Sequence, residues 1–223
     1  MNDRTEFKEL SVAYDRAMRG PLRAVFGPVT LLGGAPSDLH LERLLGDARS
    51  VLEVGCGQGY LLEKALRQLK PARLVGVDLS EVMLAIARRR LRRRGETKWI
   101  SVMQGEATSL PLRDTQFDAV LSMGMMEHLD DGLLLNFMRE ARRVLKPGGH
   151  LVAWTFSERH PIVVVYRGPA VITRRLPAYG RRMVGRSADE LCRLATESGF
   201  RDSRKARLGR FFPFYSAVIA TRE

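Results

Sequence analysis

Cysteine is nearly absent: Cys56 and Cys192 are the only two in 223 residues, too few for a disulfide framework. Neither belongs to a Cys/His cluster with zinc spacing, so no metal is implied, and a reducing, cytoplasmic setting is the expectation. No apolar run approaches the roughly 18 residues of a membrane span, so no transmembrane helix is expected. The first twenty residues lack the unbroken apolar core of a secretory leader. Aromatic residues make up only 7%, which leaves few platforms for stacking nucleic-acid bases. Acidic side chains are also in the minority, 25 against 37 Lys and Arg, and the formal charge is +12. A positive field favours anionic partners. The plainer reading scatters the excess Arg over solvated faces, and the scarcity of aromatics favours it.

What is present is ordinary for a globular protein. Apolar residues reach 45% and charged residues 28%, and the length suits one domain with a real core. No internal repeat or low-complexity tract occurs. Residues 1–49 read as an N-terminal helical lid broken at Gly20-Pro21, Gly27-Pro28 and Gly33-Gly34. Residues 50–156 alternate short β-branched runs with longer helical stretches. Residues 157–186 form an apolar, basic insertion, and residues 187–223 hold a helix and a terminal pair of strands.

The middle zone predicts the fold. Strands are expected at 50–55, 73–78, 99–103, 117–122 and 150–154. Helices are expected after Tyr60, after Ser80 and over 133–145, with Met83, Ile86, Ala87 and Leu91 on one face of the second. Strands that alternate with helices of this length imply βαβ units, hence a doubly wound α/β domain with a mostly parallel sheet. Ser187 through Glu190 is a capping box for a late helix ending at Gly199. Residues 215–221 alternate and are expected to run near the sheet edge.

Ligands of such sheets sit beyond the strands' carboxyl ends, where the strand order reverses. The unusual residues fall there. After the first strand come Glu53, Gly55, Cys56, Gly57 and Gly59; the glycines allow a sharp bend and close approach of a ligand. The second strand ends in Asp78, placed to accept both hydrogen bonds of a ribose diol. A dinucleotide fingerprint would need glycine where Tyr60 stands, and no phosphate-cradling G-x-x-x-x-G-K-[ST] run exists. The spacing favours a nucleoside without pyrophosphate.

These residues resemble those of the class I S-adenosylmethionine-dependent methyltransferases, most nearly the small-molecule branch typified by ubiquinone and menaquinone methyltransferases. The resemblance covers about residues 50–156 and implies a Rossmann-like sheet of seven strands, with an antiparallel C-terminal strand and a lid inserted after strand five. It implies S-adenosyl-L-methionine as cofactor. The bend at Gly55, Cys56, Gly57 and Gly59 would hold the methionine part, with Glu53 accepting from its ammonium. Asp78 would grip the ribose, with Leu79 and Met83 near the adenine. Gly105, Glu106 and Ala107 would meet the adenine amino edge, and Glu106 departs from the Asp that most members carry, which implies a longer or indirect contact. Phe117, Asp118 and the run from Arg143 to Gly149 complete the pattern.

Strand four ends in Ser122, Met123, Gly124, Met125, Met126, Glu127 and His128, facing the donor methyl. His128 or Glu127 is the candidate base, since an acceptor must lose a proton and imidazole takes one near neutrality. The plainer alternative is that the pair packs the lip of the crevice. Some related quinone O-methyltransferases carry an additional acid where Gly124 stands, which weakens a metal role here. Apolar and aromatic residues of the insertion, among Arg174, Arg175, Arg181 and Arg182, suit a hydrophobic acceptor with an acidic or phenolic end. A membrane-surface contact through 161–182, or a lid packed on its own core, reads equally well. Phe7 and Tyr14 are lid candidates, and Phe211, Phe212 and Phe214 candidates for the pocket wall. The arginines from Arg88 to Arg94 read first as a solvated helix face and second as an RNA contact.

The expected function is methyl transfer to an O, N or C atom of a small, largely apolar acceptor. The alternative is an RNA or protein methyltransferase using the basic surface. Nucleic acid is disfavoured as a partner, and the oligomeric state is left open.

Overall fold

The computed structural model describes residues 40–93, 95, 98–160, 163–164, 183–206 and 214–223. A five-residue helix, α1 (Leu41–Leu45), leads into β1 (Ser50–Val54), all of whose residues are buried. That pattern belongs to a strand covered on both faces. Helix α2 (Tyr60–Leu69) starts from Gly59 in the left-handed region and stops at Lys70 before Pro71. Then come β2 (Arg73–Asp78) and α3 (Glu81–Arg93), the latter capped by Ser80, whose Oγ accepts from Met83 N at 3.3 Å. Strands β3 (Ile100–Gln104) and β4 (Phe117–Met123) precede a single 3₁₀ turn at Met126–His128. Helix α4 (Asp131–Val144) opens on Asp130, which accepts from Leu133 N at 2.9 Å. The chain continues as β5 (Leu145–Phe156), α5 (Ala188–Glu197), β6 (Arg201–Lys205) and β7 (Tyr215–Thr221). The capping box at the start of α5 forms as expected, with Ser187 Oγ accepting from Glu190 N at 3.1 Å.

The seven strands form one sheet in the order β3-β2-β1-β4-β5-β7-β6. β1 pairs in parallel with β2 on one side and with β4 on the other, so the order reverses at its tip. β7 is antiparallel to both neighbours, β5 and β6. Side chains such as Leu52, Val54, Val77 and Val120 pack under α4 and α5, while Val51, Leu74, Leu121 and Trp154 pack under α1, α2 and α3. This is the doubly wound, Rossmann-like architecture expected from the sequence.

β7 lies one strand in from the sheet edge, in the region expected, and five of its consecutive residues are buried under cover on both faces. Two details differ from expectation. β6 takes the edge itself; its exposed Arg201, Arg204 and Lys205 blunt it against further pairing. Ile86 is 38% exposed and is replaced on the apolar face of α3 by Leu84. No helix among the described residues is long and apolar enough to cross a membrane.

The lower end of the sheet is tied by Asp118. Its Oδ2 accepts from Arg49 N at 3.0 Å, Ser50 N at 2.7 Å and Ser50 Oγ at 2.7 Å, and Oδ1 faces Lys146 Nζ at 2.8 Å. Burial works against the ionised form, but the Lys146 ammonium and these donors outweigh it and hold the carboxyl at about 2, below its usual 3.8. The folded pKa is depressed, so this stabilisation is present above pH 4 and is lost as pH falls through about 2. Asp118→Asn is expected to lower the folding free energy by at most about 2 kcal/mol at pH 7. The deficit should vanish near pH 2 in paired denaturant titrations.

Candidate functional site

The bend after β1 is fastened to the tip of β2. Val77 O accepts from Gly55 N at 2.8 Å and from Cys56 N at 3.1 Å, and Asp78 Oδ2 accepts from Gly57 N at 2.7 Å. Asp78 Oδ1 accepts from Ser80 N at 2.9 Å, which turns the chain into α3. The glycine bend and the acid are thus in direct contact at the point where the strand order reverses. Gly55 has a φ of +77°, and a Cβ there would stand 2.7 Å from Met125 Cβ, so no side chain fits. The neighbouring strand also demands glycine: a Cβ on Gly76 would stand 2.8 Å from Cys56 Sγ. Cys56 itself is buried, and burial followed by the charges of Glu53 and Asp78 pushes its thiol well up. It fills space beneath the bend and is no nucleophile.

Glu53 lies under this bend, 1% exposed. Burial first, then the charge of Asp78, raises its carboxyl well above the usual value, while a backbone hydrogen bond from Leu62 opposes the shift. Its Oε2 is buried without a hydrogen-bond partner among the described residues. Ser122 stands opposite Val54 on β4, and its Oγ is likewise buried and without a partner among the described residues. Natural structures rarely leave such atoms orphaned, and each asks for a group not yet present. The two acids converge on one small volume, and a cation there would relieve both.

Next to the acid lie the residues expected at an adenine. Leu79 is half-buried and its carbonyl accepts from Gln104 Nε2 at 3.0 Å. Met83 is buried on the first turn of α3. Gly105 N donates to Asp78 O at 3.1 Å, and a Cβ on Gly105 would stand 2.7 Å from Pro111 Cδ. Glu106 is half-buried and accepts from Thr108 Oγ1 at 2.7 Å; Ala107 packs on the core below. These elements border one crevice because Asp78 pairs with Gln104 across the sheet.

On the other side of β1 stands the 3₁₀ turn with Glu127 and His128. Glu127 is buried, and its Oε2 accepts from Thr155 Oγ1 at 2.7 Å. His128 is half-buried, its Nδ1 is buried without a partner among the described residues, and burial lowers its pKa against the opposing pull of Glu127. The imidazole is therefore held neutral, the form that can accept a proton. Beyond it, Phe156 and His160 stack at 4.0 Å between ring centroids, and Tyr215 sits 5.3 Å from each.

Two arginines that the motif reading gave no role hold these parts in place. Arg143 reaches Leu112 O at 2.8 Å and Leu110 O at 3.1 Å, which fastens the loop below Gly105 to α4. Arg186 is 1% exposed; it binds Leu129 O at 2.7 Å and Asp131 at 2.7 Å, and pairs with Glu190. Its backbone N donates to Phe156 O at 3.0 Å, while Val184 N donates to Glu127 O at 2.8 Å and Ser157 N to Phe214 O at 2.8 Å. The insertion after β5 thus leaves and returns at the same aromatic cluster. Partners 31 to 57 positions apart cannot be paired from one sequence. Arg88 pairs with Glu81, and Arg90 pairs with Glu63 while lying 3.6 Å over the Tyr60 ring, so Arg89, Arg92 and Arg93 are left as a solvated face. Phe7, Tyr14, most of 161–182, Phe211 and Phe212 lie outside the described residues.

A doubly wound sheet whose switch point couples a glycine bend to a strand-tip acid, with no phosphate loop, defines a nucleoside-binding α/β protein. Residues 51–149 match the family described as a methyltransferase domain. A demethylmenaquinone methyltransferase of Bacteroides fragilis is 36% identical over 119 residues, covering 51% of this chain and 46% of the relative. A ubiquinone biosynthesis O-methyltransferase of Ruegeria pomeroyi is 33% identical over 162 residues, covering 72% of this chain and 62% of the relative. The chain spans about half the length of the first of these curated relatives. The crystal structure of an S-adenosylmethionine-dependent methyltransferase from Thermotoga maritima superposes with a TM-score of 0.64 at 23% identity, covering 97% of this chain and 98% of the other. Residues 51–149 thus carry a methyltransferase domain, on the fold of the S-adenosylmethionine-dependent methyltransferase it superposes with.

The buried acid has a consequence for stability. With the folded pKa of Glu53 raised, its ionisation costs the fold progressively more as pH rises from the ordinary carboxyl range through the elevated value. Glu53→Gln is expected to match the wild type at pH 4 and to melt at a higher temperature at pH 8. Calorimetric melts of the ligand-free protein at the two pH values check this.

Proposed function

We propose that the chain binds S-adenosyl-L-methionine at the bend and transfers its methyl group to a small, largely apolar acceptor beside residues 122–128. The observation that carries this reading is the buried Oε2 of Glu53, without a partner among the described residues, under a bend already fastened to Asp78. An α-ammonium group would satisfy that oxygen and offset the repulsion between the two acids. Bound there, the cofactor supplies an electrophilic methyl on a positively charged sulfur. Asp78 would accept from the ribose diol, Glu106 and the backbone near Ala107 would hold the adenine edge, and Ser122 would stand on the β4 side of the bend. The protein's contribution is position and exclusion of water. His128, held neutral by burial, takes the acceptor's proton.

The names of the relatives, which act on quinone precursors, support a small acceptor over RNA or protein. Free Cys56 and Cys192 fit a reducing, cytoplasmic setting.

S-adenosylhomocysteine at 100 times its Kd is expected to stabilise the wild type by about 2.7 kcal/mol in thermal melts. Asp78→Ala should weaken its binding at least tenfold by calorimetry. An unchanged melting temperature in excess ligand would overturn the reading. For the acceptor side, His128→Ala should lower kcat roughly 10²-fold or more while S-adenosylhomocysteine affinity stays within a factor of two. Full turnover in that variant would remove the imidazole from the mechanism.

A further inference from the structure

The carboxylate on the acceptor side has one oxygen to spare. Glu127 is 2% exposed, and Thr155 Oγ1 engages its Oε2 at 2.7 Å. Oε1 has no hydrogen-bond partner among the described residues. It lies beside Gly124, where a Cβ would stand 3.5 Å from it, and Gly124 is exposed at the tip of β4. The spare oxygen therefore lies within contact distance of the exposed backbone at Gly124.

No Lys or Arg forms an ion pair with Glu127 among the described residues. Arg186, which roots the returning insertion, spends its guanidinium on Asp131, Glu190 and Leu129 O. His128 adds no charge, since burial holds it neutral. A carboxylate taken out of water without a cation is costly, and a ligand that brings one recovers the loss. The rings of Phe156, His160 and Tyr215 wall the same end. Burial and then the charge of Glu127 push the Tyr215 phenol up to about 12, so ring and carboxylate share one poorly solvated space.

Resting on the cofactor site proposed above, we propose that the methyl acceptor is an amine on an apolar or aromatic body, its nitrogen held by Glu127 Oε1 and its body packed on Phe156, His160 and Tyr215. The charge flow of the reaction favours nitrogen here. An ammonium docked on Glu127 gives one proton to the His128 imidazole, which becomes imidazolium. The freed lone pair forms the new C–N bond as the C–S bond breaks and its electrons stay on sulfur. Positive charge thus leaves sulfur and appears on nitrogen, next to the carboxylate, where it is stabilised. A phenol would have to ionise beside the same carboxylate, and a carboxylic acid would meet it as a like charge; both are opposed. The acidic or phenolic acceptor suggested by Arg174, Arg175, Arg181 and Arg182 rests on residues outside the described part, whereas Glu127 stands at the strand tip.

Calorimetry on protein saturated with S-adenosylhomocysteine tests this with three probes of matched shape: phenethylamine, 2-phenylethanol and phenylacetate. Phenethylamine is expected to bind at least tenfold more tightly than either other probe. Glu127→Gln, which still accepts from Thr155, should erase that preference and leave S-adenosylhomocysteine affinity within twofold. Thr155→Val, which keeps the charge, should retain it. Equal or reversed probe affinities, or no binding of phenethylamine, would overturn the proposal. So would a joint loss of S-adenosylhomocysteine affinity in both variants, which would mark Glu127 as structural. If the wild type binds no S-adenosylhomocysteine at all, the cofactor site itself is wrong, and the amine reading falls with it.

Discussion

The hydrogen bond from Gly57 N to Asp78 Oδ2 is the contact on which the site is built. It joins the bend after one strand to the tip of the next, and the parallel register of Val54 with Val77 sets both at the same height. The same register places Glu53 beneath the bend, and the pairing of Val54 with Ser122 brings β4 to its other side. From there the turn carrying Glu127 and His128 can only emerge across the crevice from Asp78. A bend that moved independently of β2 would leave two acids near one another with nothing to orient them.

The electrostatics of the crevice run against those of the chain. The sequence carries a charge of +12, yet Glu53, Asp78, Glu106 and Glu127 border the crevice. Several of the surplus arginines are committed elsewhere, in pairs with Glu63, Glu81, Glu140, Asp131 and Glu190. The interior acids are desolvated, so their field is weakly screened, while the exposed arginines act through water and salt. The cofactor and the amine acceptor proposed above, both cationic, would meet an acidic hollow within a basic body. Net charge alone would have pointed to the opposite kind of ligand.

How much of this was legible follows from the range of the signals. Strand and helix order, the bend at Gly55 to Gly59 and the acid at Asp78 were readable because each is a local pattern, closed within a few residues of one chain segment. The doubly wound class followed from their alternation. Which of β6 and β7 takes the very edge was not readable, since alternation in Tyr215–Thr221 says what the strand is and not which neighbours cover it. β6 has almost no apolar content and takes its conformation from β7 alone. Arg186 looked like one more arginine in a chain full of them, and Arg143, though part of a motif, showed no partner; only folding brings their carbonyl and carboxylate partners within reach. The need for glycine at Gly76 and Gly105 was equally hidden, because the crowding comes from Cys56, Val77 and Pro111 and not from their own backbone angles.

The insertion between β5 and α5 begins and ends at Phe156, held by the backbone bonds of Ser157 and Arg186. A segment with coincident ends is a cassette. Lengthening it adds closure entropy only logarithmically, and its replacement leaves every strand pairing untouched. The scaffold can therefore exchange one inserted segment for another by recombination or design, while the strands that carry Gly55, Asp78 and Ser122 are inherited whole.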